Sequence, residues 1–126
     1  MASPHKKILV VEDEDRLNDL YVQLLEAEGY AVDSAKTGNE AFEKIHEGGY
    51  DLVLLDIVLP EIDGIHILQK LKKEPAKKKN VAIVLLTNLT ENETIAKALK
   101  EGVSGYLIKS RYTPDQFLDE VKKHLN

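Results

Sequence analysis

Three consecutive acids, Glu12-Asp13-Glu14, directly follow an aliphatic run at 8–11, and another acid, Asp56, closes the segment DLVLLD at 51–56. Two later aliphatic runs also end on polar residues, one on Thr87 and one on Lys109. Taken singly, each has an ordinary explanation: Glu12 and Asp13 would cap a following helix, and Lys109 would be a solvated surface charge. Taken together, four separate run ends deliver the parts of one site. Two carboxylates ~4 Å apart repel by about 4 kcal/mol at an effective dielectric near 20. A hard divalent cation removes that cost, and one or two carboxylates with several waters is the usual way of holding Mg²⁺. Such an ion also screens a carboxylate from an approaching phosphoryl group and stabilises the oxygens that gather charge. Lys109 would add a second positive charge and the Thr87 hydroxyl a hydrogen bond. The set suits the arrival of an anion at Asp56 when a metal is present.

The elements that must position these residues alternate along the chain. Short aliphatic or β-branched runs at 8–11, 31–35, 52–55, 81–86 and 106–108 read as strands. Between them, apolar residues recur at helical spacing. The stripes are Leu17, Leu20, Tyr21, Leu24 and Leu25; Phe42 and Ile45; Ile65, Leu68 and Leu71; Ile95 and Leu99; and Phe117, Leu118, Val121 and Leu125. Gly29, Gly48-Gly49 and Gly102 stand where helices should stop, and Asp63 and Thr113-Pro114 where they should start. Strands 1, 3 and 4 are apolar on both faces, which predicts an α/β, doubly wound, five-stranded parallel sheet with helices on both faces. Crossovers are right-handed, so the strand order must reverse somewhere. Ligands gather at the carboxyl ends of the strands that flank the reversal, where the polar residues lie.

With 126 residues, 43% hydrophobic and 31% charged, the chain has the length and composition of one globular domain, unlike a disordered segment. It has no cysteine, which excludes disulfides and thiolate metal sites. No apolar run is long enough to cross a bilayer, so we expect a soluble, cytoplasmic protein with no membrane insertion. A net charge of −5 argues against nucleic acid as the main partner. Lys70, Lys72, Lys73, Lys77, Lys78 and Lys79 surround Pro75 without interleaved aromatics, and are expected to form a solvated loop. His5, His46, His66 and His124 lack metal-ligand spacing.

Four segments, KILVVEDED at 7–15, DLVLLDIVLPEIDG at 51–64, VLLTN at 84–88 and GYLIK at 105–109, resemble the receiver domain of two-component response regulators over nearly the whole chain. The resemblance implies a flavodoxin-like strand order 2-1-3-4-5. It implies that Asp56 is the phosphoacceptor. Asp13, Asp56 and the Val58 carbonyl would bind Mg²⁺, with Glu12 acting through a water on the ion. Thr87 and Lys109 would hold the phosphoryl oxygens, and Thr87 and Tyr106 would form the switch. A new dianion near the strand ends draws the hydroxyl and the ammonium inward and vacates space for the ring. The implied partners are a histidine kinase or histidine phosphotransfer protein and a downstream target, and the implied state is a monomer or a phosphorylation-linked dimer. The chain would be one receiver domain, 1–126, without an output domain, so its target would be a separate protein.

Two positions depart from the family pattern. Ser110 stands where most receivers have proline after the lysine, and Asn88 where most have a small residue after the threonine. A cis bond before serine costs ~2.5–4 kcal/mol, so the Lys109–Ser110 bond is expected to be trans, with a rearranged loop through Arg111 and Tyr112. The positions two after the acceptor and two after the threonine are aliphatic, Val58 and Leu89. In the family that this chain resembles, these two positions influence the hydrolytic water; neither side chain here can orient it, and slow self-dephosphorylation is expected. Other functions fit less well. A flavin carrier of this fold class would want a Ser/Thr/Gly-rich loop after strand 1, where three acids stand. An aspartyl-phosphate phosphatase would want a carboxylate at position 58. A degraded receiver acting only as a protein-binding module remains the alternative, although every acceptor, metal and phosphate residue is retained.

Overall fold

A computed structural model describes residues 5–88 and 92–125. The strands are β1 (Lys7–Val11), β2 (Ala31–Ala35), β3 (Leu52–Leu55), β4 (Ile83–Thr87) and β5 (Gly105–Ile108). The helices are α1 (Asp15–Ala27), α2 (Gly38–Glu47), α3 (Gly64–Lys73), α4 (Asn92–Lys100) and α5 (Pro114–Leu125), with a 3₁₀ turn at Lys109–Arg111. All pairings are parallel, and the order is β2-β1-β3-β4-β5. The chain leaves β1 in one direction to β2 and returns past it to β3, so the reversal falls between β1 and β3.

Alternation along β1 explains why that strand is apolar throughout. Leu9 and Val11 join Val53, Leu55 and Leu85 in a core closed by Phe42 and Ile45 of α2, Ile67 and Leu68 of α3 and Ala98 of α4. Ile8 and Val10 face the other way, with Leu52, Leu54, Val84 and Leu86, against Tyr21 and Leu25 of α1 and Phe117 and Val121 of α5. Each fully buried aliphatic side chain contributes about 1.5–3 kcal/mol of transfer free energy. Neither face is left to water.

Helix boundaries follow local chemistry. The Asp63 carboxylate accepts the His66 amide at 2.9 Å, and Thr113 and Gln116 exchange side-chain and backbone bonds at 3.0 and 3.2 Å in a capping box. Gly29, Gly48 and Gly102 follow helices α1, α2 and α4 with positive φ, as stop positions require.

Three expectations change. Val81 is 66% exposed and lies outside β4, because pairing with β3 begins at Ile83 opposite Val53. Leu20 and Leu99, placed on apolar stripes by their spacing, are each 42% exposed. Lys70, Lys72 and Lys73 belong to the last turn of α3 rather than to a loop, where they complement the negative end of the helix dipole.

Candidate functional site

The site is assembled from strand ends. The Glu12 amide donates to the Ala35 carbonyl at 3.0 Å and the Asp56 amide to the Val11 carbonyl at 3.2 Å, so both acids continue ladders that the sheet has already fixed. Glu12 is 1% exposed, Asp56 5% and Thr87 1%, whereas Asp13 stands in solvent. Glu12, Asp13, Asp56, Val58, Thr87, Asn88 and Lys109 line one cleft. One oxygen from each of Glu12, Asp13 and Asp56 lies within 4.8 Å of the others.

Lys109 closes the cluster. Its Nζ donates to Asp56 Oδ2 at 2.6 Å and to Glu12 Oε1. The other Asp56 oxygen accepts the Val58 amide at 3.3 Å, and the other Glu12 oxygen accepts the Glu14 amide at 3.0 Å. Burial pushes the Glu12 carboxyl above its ordinary value, and the Lys109 hydrogen bond pulls it only part of the way back. Burial also works against charge on Lys109, but bonds to Asp56 and Glu12 outweigh it and hold the ammonium above its usual range. The lysine is thus a firm cation among crowded carboxylates.

Every residue that the sequence assigned to acceptor, metal and phosphate roles lies in this cleft. Tyr106 does not. It is 44% exposed on edge strand β5, in register with Leu85. Leu89 lies outside the described residues. The Lys109–Ser110 bond is trans, since the chain has no cis peptide among the described residues, and the segment after β5 winds into the 3₁₀ turn.

Asn18 was not among the expected site residues. It is 1% exposed, and its amide donates to the Glu12 carbonyl at 2.9 Å and the Ala35 carbonyl at 3.3 Å. It thereby satisfies two strand-end acceptors and fixes the backbone from which Glu12 and Asp13 project. A polar residue three before Tyr21 and seven before Leu25 sits on the buried helical stripe, which could have drawn attention to it.

The loop after Asp56 is also held tightly. The Gly64 amide donates to the Ile57 carbonyl at 2.7 Å, and a Cβ on Gly64 would stand 2.7 Å from the Asp56 carbonyl oxygen. Glu61 has φ 74, and the Ile62 amide bonds back to the Pro60 carbonyl at 3.0 Å, forming a three-residue turn. No helix among the described residues is long and apolar enough to cross a membrane.

The chain is similar to known proteins in both sequence and fold. A sequence model of the response regulator receiver domain matches residues 8–122. The transcriptional regulatory protein ResD of Bacillus subtilis is 37% identical over 116 residues, covering 92% of this chain and 46% of ResD. SrrA of Staphylococcus aureus is 34% identical with the same coverage. The chain therefore spans about half the length of these relatives. A CheY-like receiver structure from Methanospirillum hungatei superposes with a TM-score of 0.84 at 31% identity, covering 97% of this chain and 94% of that one. TrrA of Thermotoga maritima, solved with Mg²⁺-BeF, gives 0.77 at 34% identity, covering 95% of this chain and 99% of that one. The chain belongs to the response regulator receiver domain family.

Proposed function

We propose that the chain accepts a phosphoryl group on Asp56 from the phosphohistidine of a histidine kinase or histidine phosphotransfer protein, and passes the signal to a protein target. An Asp56 carboxylate oxygen bonds to phosphorus as the donor P–N bond breaks, and the electron pair leaves with the imidazole. The observation that supports this most is the buried Asp56 carboxylate held between the Lys109 ammonium at 2.6 Å and the Val58 amide at 3.3 Å, in a cleft open to an anion. Both partners donate, so they orient the nucleophile. Lys109 also meets the negative charge that arrives with phosphorus.

The donor set fits Mg²⁺. Three carboxylate oxygens within 4.8 Å of one another are hard ligands, and exposed Asp13 leaves room for the waters this ion keeps. Asp13, Asp56 and the Val58 carbonyl would hold it, with Glu12 beside them. When bound, the ion neutralises carboxylate repulsion and the charge on the phosphoryl oxygens. We assign the Thr87 hydroxyl to a phosphoryl oxygen and Tyr106 to the response, which alters the surface of α4, β5 and α5. TrrA with its Mg²⁺-BeF supports this reading by family likeness.

Incubation with acetyl phosphate and Mg²⁺, followed by intact-mass measurement, tests it. One phosphoryl group per chain is expected, lost in Asp56→Asn and without Mg²⁺. Labelling that persists in the Asn variant would refute the acceptor assignment. A folded, unlabelled wild-type chain would favour a purely protein-binding module.

A further inference from the structure

Two exposed loop residues beside the cleft, Asn88 and Ser110, touch each other. The Ser110 amide donates to Asn88 Oδ1 at 3.0 Å. Asn88 directly follows Thr87, and Ser110 directly follows Lys109. The β4–β5 ladder ends at the register pair Thr87 and Ile108. The Asn88 side chain therefore continues strand-to-strand pairing past the end of the sheet, at the cleft that Asn88 helps to line. The amide it captures lies in the first turn of the 3₁₀ segment Lys109–Arg111, where an N–H has no partner within the turn itself. Proline at position 110 has no N–H and could not make this bond.

We propose that Asn88 is a positioning residue for phosphoryl transfer: through Ser110 it fixes the turn that carries Lys109, so that the ammonium is aimed at Asp56 and at the incoming phosphoryl group. The inference rests on the phosphoacceptor reading above. A lysine has four flexible methylenes and reaches an anion from many backbone positions, so reach alone does not orient it. Fixing the backbone at its base removes freedom that would otherwise be lost during the reaction. With Lys109 in a 3₁₀ turn, a conformation that a following proline disfavours, the Asn88–Ser110 bond supplies that rigidity here.

Four variants test this: Asn88→Leu, which keeps the size but loses the acceptor; Ser110→Pro, which loses the donor; Ser110→Ala, which keeps it; and the Asn88→Leu/Ser110→Pro pair. Both side chains are exposed, so the fold is expected to survive, and melting curves check that. Asn88→Leu should slow acetyl phosphate labelling of Asp56 and weaken beryllofluoride binding, each by roughly three- to tenfold, the scale of one lost hydrogen bond. Affinity for Mg²⁺ alone should stay unchanged, because Asp13, Asp56 and Val58 are not tethered by Asn88. Ser110→Pro should reproduce the loss, Ser110→Ala should not, and the double variant should be no worse than either single one. Labelling of Asn88→Leu within twofold of the unaltered chain would overturn the proposal and leave the phosphoacceptor reading standing. So would losses that multiply in the double variant, or a parallel fall in Mg²⁺ affinity, which would signal general loosening. An unaltered chain that takes no phosphoryl group would overturn both readings together.

Discussion

The Lys109 ammonium lies 2.6 Å from Asp56 Oδ2 and also bonds Glu12 Oε1, so one cation at the end of β5 ties together the ends of β3 and β1. The three side chains are 10%, 7% and 2% exposed for Lys109, Asp56 and Glu12. Removing the cation leaves two buried carboxylates facing each other, whereas removing one carboxylate relieves crowding. Breaking such a pair from the cationic side costs on the order of 3 kcal/mol. Lys109→Met should therefore lower urea stability by about that much, while Asp56→Asn should be near neutral. Added Mg²⁺ should restore part of the Lys109→Met loss. Equal stability of the two variants would show that the bridge carries little energy.

Mg²⁺ that binds only the native state stabilises it by about 1.4 kcal/mol when the ion is tenfold over its Kd. Thermal melts with millimolar Mg²⁺ should shift upward accordingly. Asp13 is exposed, so Asp13→Ala should leave the metal-free melting temperature nearly unchanged while blunting the upward shift. A full Mg²⁺ response in Asp13→Ala would remove that residue from the ligand set.

Much of this site was legible because a parallel sheet buried on both faces forces its strands to be short aliphatic runs, so polar residues at the run ends stand out. Glu12, Asp56, Thr87 and Lys109 were found in that way. The order β2-β1-β3-β4-β5 was not readable from periodicity, which is the same for any arrangement of such strands. It came from family resemblance and is what the sheet shows. Val81 read as strand because it is β-branched, but ladder pairing starts where a partner residue exists. The link from Asn88 to Ser110 spans 22 residues and two strand ends, and no local pattern encodes it. That Lys109 bridges both acids is likewise a product of sheet register.

Val58 is 59% exposed at the rim of the cleft, two residues after Asp56. An aliphatic side chain there cannot orient a water in line with the acyl phosphate, so dephosphorylation should be slow. Val58→Asn adds one hydrogen-bonding group at that place and should shorten the phosphoryl half-life about fivefold, the scale of a ~1 kcal/mol bond. A half-life unchanged by this substitution, measured by loss of label after donor removal, would separate Val58 from the hydrolytic step.

Tyr106 is 44% exposed and alternates with buried Leu107, so its ring faces the α4 side of β5, away from α1 and α5. If phosphate binding draws Thr87 toward Asp56, space opens beside Leu85 for this ring. Beryllofluoride with Mg²⁺ should move amide resonances in α4, β5 and α5 and protect the Tyr106 ring from solvent. Tyr106→Ala should leave labelling of Asp56 intact while shrinking the shifts in α4. Shifts confined to the loops after β1, β3 and β4 would count against coupling through Tyr106.

Gly38 offers a test of how the loop after Asp56 is held in place. It opens α2, and its amide donates to the Pro60 carbonyl at 3.0 Å. A Cβ built there would stand 1.8 Å from the Ile62 carbonyl oxygen and 2.7 Å from its carbon, so backbone rather than a flexible side chain would have to move. At an unobstructed helical position, glycine to alanine stabilises by up to about 1 kcal/mol through helix propensity. Here overpacking against backbone works the other way, typically by 1–3 kcal/mol. We expect Gly38→Ala to be destabilising by about 1–2 kcal/mol in urea unfolding. The displaced segment joins Ile57 to Asp63, so the same variant should also weaken the Mg²⁺-induced rise in melting temperature, although Gly38 does not line the cleft. Gly102→Ala makes the contrast: nothing lies within 4 Å of its Cβ position, and its φ of +99° alone sets the cost. That variant should lose about 1 kcal/mol through backbone strain and keep the Mg²⁺ response in full. A stabilised Gly38→Ala, or one whose Mg²⁺ response matches Gly102→Ala, would mean that α2 does not brace the loop after Asp56.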